Sequence, residues 1–77
     1  MRTIDVGDDS LSADQLTVRR TNLGLVLRRL RDHGPRSRAT LATELGMTRS
    51  AVSTLVTELA ERGLVRVVGG SAHDIET

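Results

Sequence analysis

The chain contains no cysteine, no lysine and only one proline. Without cysteine there is neither a disulfide nor a Cys-based zinc site to reinforce a domain of 77 residues, so its fold must rest on a modest apolar core. His33 and His73 lie 40 positions apart with no ligand cluster around either, and no metal or cofactor is expected. No long apolar run is present, and Asp5, Asp8 and Asp9 crowd the start where a secretory leader would be apolar. A cytoplasmic protein with no membrane partner is the expectation. Catalysis is equally poorly provided for. The hydroxyl residues are better explained as helix caps or exposed side chains, and neither histidine has an acidic or thiol partner by spacing, so the chain does not read as an enzyme.

What is present is arginine, and its placement matters more than the total. The formal net charge is only +1. Residues 1–18 carry one arginine against four acids, and residues 67–77 carry two acids and no arginine. Residues 19–66 hold ten arginines against Asp32, Glu44, Glu58 and Glu61, a local net charge of +6. A planar guanidinium suits phosphate, although the exclusive use of arginine is equally open to a genomic compositional bias.

The stretch Thr48 to Gly63 is the most informative. On a helix of about 100° per residue, Ala51, Val52, Leu55, Val56 and Leu59 fall within about 140° of arc, opposite Ser50, Ser53, Thr54 and Thr57. Thr48 is placed to cap the helix and Gly63 to stop it. An ordinary surface helix carries Glu and Lys on its wet side. Small hydroxyls behind a leading Arg49 suit a helix laid against phosphates and base edges.

Taken in order, Met1 to Leu11 has no sustained periodicity. Ser12 and Gln15 have capping-box spacing ahead of Leu16 and Val18, and this region is either a disordered leader or a helix that packs on a partner subunit. A first core helix is expected from about Asn22 to His33, with Leu23, Val26, Leu27 and Leu30 inward and Gly34-Pro35 as its stop. Leu25 lies off that stripe and reads as surface or a weak interface, with dimer contact as the alternative. Ser37 caps a shorter helix whose Leu41, Ala42 and Leu45 end at Gly46. The turn through Met47 to Thr48 is short enough to force a sharp crossing, as in a helix-turn-helix whose second helix does the reading. Leu64-Val65-Arg66-Val67-Val68 then reads as a strand, and Gly69-Gly70-Ser71 as a turn. A returning strand would make a wing, but Ala72 to Thr77 has little strand pattern.

The span from Asn22 to Gly69 resembles the N-terminal winged helix of ROK-family transcriptional regulators, and it is also similar to the broader MarR-type winged helix. The likeness is carried by Val26-Leu27-Arg28, Gly34-Pro35-Arg36-Ser37-Arg38, Leu41-Ala42, Leu45 through Ser53, Val56, Leu59 and Gly63-Leu64-Val65. It implies a double-stranded DNA operator as partner, the helix from Thr48 in the major groove, the Ser37-Arg38 end on phosphate and the Gly69-Gly70 wing near the minor groove. For ROK regulators it also implies a C-terminal sugar-binding domain that supplies dimerisation and effector response in a longer parent. The glycine-arginine-proline of such wings is absent, since Gly70 is followed by Ser71-Ala72-His73-Asp74.

The expected architecture is therefore mainly α, a three-helix winged helix-turn-helix with a short β wing, either complete or incomplete. Its expected divisions are residues 1–20 as a flexible arm or short helix, 21–70 as the DNA-binding domain and 71–77 as a tail or incomplete wing strand. The expected DNA-binding residues are Ser37, Arg38, Thr48, Arg49, Ser50, Ser53, Thr54, Thr57 and Arg66. Self-association of this chain alone is expected to be weak or absent, with a homodimer in a longer parent. The rival reading is a winged helix used for protein–protein contact without specific DNA binding.

Overall fold

Helix caps written into the sequence set the two central elements. In the computed structural model, which describes residues 13–69 and 74–77, Ser37 precedes a helix over Arg38–Leu45 and accepts a hydrogen bond from the Thr40 amide at 3.0 Å. Thr48 precedes a helix over Arg49–Glu61 and accepts from the Ala51 amide at 3.0 Å. Each cap satisfies an amide that the helix ladder leaves without a partner. Gly46 and Gly63 follow these helices at φ 68° and 74°, a left-handed conformation that glycine adopts without steric cost. The Met47 amide returns to the Ala42 carbonyl at 2.9 Å, and the Leu64 amide returns to the Leu59 carbonyl at 2.9 Å. Both helices are thus closed at both ends by local chemistry.

In chain order the elements are α1 (Ala13–His33), α2 (Arg38–Leu45), α3 (Arg49–Glu61), β1 (Arg66–Val67) and β2 (Ile75–Glu76). Three helices and one two-stranded antiparallel sheet make a winged helix-turn-helix. The apolar stripe of α3, Val52, Leu55, Val56 and Leu59, is buried against Leu23, Val26 and Leu30 of α1 and Leu41 and Ala42 of α2. Leu27, Leu45 and Met47 pack at the margin of this cluster. The core is wholly aliphatic, for the chain has no aromatic residue.

Two features differ from the sequence reading. The first helix begins at Ala13 instead of near Asn22, so Arg19 and Arg20 lie inside it and the boundary expected between residues 20 and 21 falls mid-helix. Two contacts support the added turns: Thr17 Oγ1 donates to the Ala13 carbonyl at 3.0 Å, and Arg19 forms an ion pair with Glu58 of α3. Periodicity missed this half because its apolar residues, Leu16 and Val18, remain exposed. The arm from Met1 to Leu11 and the Ser12 capping box lie outside the described residues, as does the expected wing turn from Gly70.

The second difference is the returning strand. Arg66 pairs with Glu76 and Val67 with Ile75, and the Val68 amide donates to the Asp74 carbonyl at 2.7 Å. On its other side Ile75 exchanges two backbone hydrogen bonds with Arg36, at 3.0 and 2.9 Å. A strand of two residues is held because Ile75 is fully buried in the helical core, beside Val65. One side chain does what an alternating pattern would do in a longer strand. Ile75→Ala should therefore lower stability by about 2–5 kcal/mol, as should Leu55→Ala. Val68→Ala, at an exposed site, should stay within about 0.5 kcal/mol in the same urea unfolding measurement.

Candidate nucleic-acid interface

Burial of one side of α3 determines what its other side offers. Arg49, Ser50, Thr54 and Thr57 are exposed, and Ser53 is half-buried at the margin. Thr54 Oγ1 donates to the Ser50 carbonyl at 3.2 Å, and Thr57 Oγ1 donates to the Ser53 carbonyl at 2.9 Å. Their hydroxyl protons are thereby occupied within the helix, leaving oxygens that accept and methyl groups that face outward. Among the described residues the Ser50 hydroxyl has no partner, which leaves it to donate or accept. These three hydroxyls thus present two different chemistries.

The wet side of α3 is not uniformly uncharged. Arg19, Thr54, Thr57, Glu58, Glu61 and Arg62 border one shallow depression together with Ser53. Glu58 receives Arg19 from α1, and its other oxygen accepts from Arg62 at 2.6 Å. The hydrogen bond from Arg19 holds the Glu58 carboxyl below the usual carboxylate range; partial desolvation opposes the shift, and the positive charges of Arg19 and Arg62 reinforce it. Glu61 is exposed and has no cation partner among the described residues. The last turns of α3 therefore carry mixed charge, Glu58 and Glu61 beside Arg19 and Arg62, while its first two turns carry Arg49 and hydroxyls.

Several of the arginines that make up the basic block are already engaged. Arg38 is paired with Asp74 at 3.3 Å, Arg66 with the cross-strand Glu76, and Arg36 with Glu44 at 3.2 Å. Among the described residues, Arg20, Arg28, Arg31 and Arg49 have no acidic partner. The first three lie on the outer side of α1, so Arg49 is the uncommitted cation of the α3 face. Ser37 and Thr48 have their side-chain oxygens committed to capping. Of the nine site residues expected from sequence, Arg49, Ser50, Ser53, Thr54 and Thr57 come together on α3, with Thr48 at its entrance. Ser37 and Arg38 open α2, and Arg66 lies on β1.

The comparison with known families agrees with this geometry. A model of the MarR family matches residues 24–74, from within α1 to the start of the returning strand. The chain belongs to the MarR family. MarR proteins are transcription regulators whose winged helices bind DNA, and the helix-turn-helix of this MarR domain is the α2–α3 pair. No curated protein and no solved structure matches the chain. Among the described residues no helix is long and apolar enough to cross a membrane.

Sequence reasoning did not find the Arg19–Glu58–Arg62 cluster or the Arg38–Asp74 pair, whose long-range partners stand 39 and 36 positions apart. No local spacing signals such pairs. The i,i+4 spacing of Glu58 and Arg62 was the one legible hint. Because the folded Glu58 is more acidic than an unfolded glutamate, its stabilising contribution is complete above the ordinary glutamate pKa. That contribution is lost as pH falls through the lowered value. The stability difference between the wild-type chain and Glu58→Gln should therefore be largest and flat near neutral pH, and should shrink with acidification. Urea midpoints measured along a pH series check this, and a difference growing toward acid would have the wrong sign.

Proposed function

We propose that the chain reads double-stranded DNA sequence-specifically as part of a cytoplasmic transcription regulator, with the first two turns of α3 in the major groove. One observation carries the reading: a short-turn helix pair, capped at Ser37 and Thr48, buries every large apolar side chain of α3 and leaves Arg49, Ser50, Thr54 and Thr57 outward. In this reading Ser50, Ser53, Thr54 and Thr57 meet base edges. Thr54 and Thr57 accept from the amino groups of adenine or cytosine and place methyls against thymine, while Ser50 can also donate to a guanine or thymine acceptor. Arg49, with the Ser37-Arg38 and Thr48 helix entrances and Arg66 of the wing, serves the phosphate backbone. Arg49, whose guanidinium has no acidic partner among the described residues, favours insertion by the N-terminal end of α3, the usual docking of a recognition helix.

Two copies on a palindromic operator, with half-sites about one helical turn or a multiple apart, complete the reading. Dimerisation, repression and sugar response are assigned to a longer parent, on the likeness of residues 22–69 to ROK regulators. The acids Glu58 and Glu61 beside the reading face are what favours the alternative, a protein-binding winged helix.

Salt separates the two. Affinity for a nonspecific duplex should lie in the range of roughly 10⁻⁴–10⁻⁶ M and fall steeply as salt rises. Arg49→Ala should weaken matched and scrambled duplexes alike and lower the salt slope by about one unit. Ser50→Ala should instead change the ranking among operator sequences, by about 1–3 kcal/mol at the affected base pair. Titrations by fluorescence anisotropy read both effects; absence of duplex binding at low salt would favour the protein-binding alternative.

A further inference from the structure

Asp74 places a negative charge where the first arginine of α2 would otherwise be free. The backbone exchange between Arg36 and Ile75, at 3.0 and 2.9 Å, seats the returning strand against the segment ahead of α2. This brings Asp74 to Arg38 across 36 positions of sequence. The pairing is incomplete on both sides. Arg38 Nη1 donates to Asp74 Oδ2 at 3.3 Å, whereas Asp74 Oδ1 is buried and accepts no hydrogen bond. Among the described residues the other donors of Arg38 have no acceptor, and its side chain keeps 29% of its exposure.

A guanidinium fork is best satisfied by two parallel hydrogen bonds to one anion. Here it makes one, near the long end of the normal range. A backbone phosphate offers two free oxygens, and α2 begins at this residue with its dipole favouring an anion. The carboxylate and a phosphate are therefore rivals for one guanidinium. The same carboxylate is attached to the strand that carries Ile75 into the core, so the rivalry links DNA contact to how the wing is held.

We infer that Asp74 is a positioning residue that withholds Arg38 from the DNA backbone, so that Asp74 and a duplex phosphate compete for the Arg38 guanidinium. This rests on the DNA-reading function proposed above and adds to it a device that moderates phosphate affinity. It also alters the expectation for Arg38 from sequence. A freely available arginine contributes one full phosphate contact to the salt dependence; one held by Asp74 contributes less until the carboxylate is displaced. Because the two compete for one group, weakening the Asp74 contact strengthens phosphate binding, and phosphate binding weakens that contact by the same coupling.

The test is a set of salt titrations of the full chain against a labelled mixed-sequence duplex. Asp74→Asn should tighten binding about threefold to fivefold at low salt, the scale of an exposed ion pair, and should steepen the salt slope by up to about one unit. In an Arg38→Ala background the same substitution should leave the slope unchanged, because the effect passes through Arg38 and not through general repulsion. Asp74→Glu keeps the charge and should stay near the wild-type slope. Urea midpoints and amide exchange at Ile75 verify that the strand remains seated, and Asp74→Ser serves the same comparison if asparagine unseats it. Equal slopes for wild type and the neutral variant, or an equal increase without Arg38, would overturn the inference while leaving salt-dependent DNA binding in place. No duplex binding by any variant would instead remove the DNA reading itself.

Discussion

Burial of the aliphatic stripe of α3 is the constraint on which the molecule depends. Val52, Leu55, Val56 and Leu59 can leave water only by packing between α1 and α2, and once they do, the rotation of α3 about its axis is set. The exposed residues are then those that remain: Arg49, Ser50, Ala51, Thr54, Thr57 and Glu61. The position of Leu55 in the core and that of Thr54 on the surface are two aspects of one rotation. The Gly46 turn and the Thr48 cap fix where α3 starts, and the core fixes which way it faces.

The wing obeys the same logic at smaller scale. Two paired residues contribute little by themselves. Ile75 anchors the strand in the helical core, and the Arg36 backbone gives it a second edge. The strand thereby becomes an extension of the helix-turn-helix, joined to the segment that leads into α2. Asp74 and Glu76, which flank Ile75, reach Arg38 and Arg66 in consequence. The docking of one apolar side chain thus redistributes charge over the surface proposed to meet DNA.

That redistribution changes the meaning of the basic block. Ten arginines in residues 19–66 suggest an ample cationic surface, yet six of them are paired with acids in the fold. Exposed pairs contribute little to stability, so their larger effect is on availability. A cation shared with a carboxylate attracts phosphate less than a free one. Among the described residues, the acids of α3 and β2 leave Arg49 as the cation of the α3 face without an acidic partner, and Arg20, Arg28 and Arg31 as those of α1.

Much of the helical framework was legible by itself because its signals are local. The caps at Ser37 and Thr48, the left-handed glycines and the apolar spacing of α3 act within one or two turns, where helix geometry makes sequence distance equivalent to spatial distance. The family likeness of the helix-turn-helix was readable for the same reason, and its MarR side is the one the family comparison supports. Only tertiary structure decided that α1 extends back to Ala13, that Ile75 belongs to the core and that Arg38 answers to Asp74. The Arg19 and Arg38 ion pairs join residues 39 and 36 positions apart, and the burial of Ile75 rests on packing between separate segments, which no periodicity along the chain encodes.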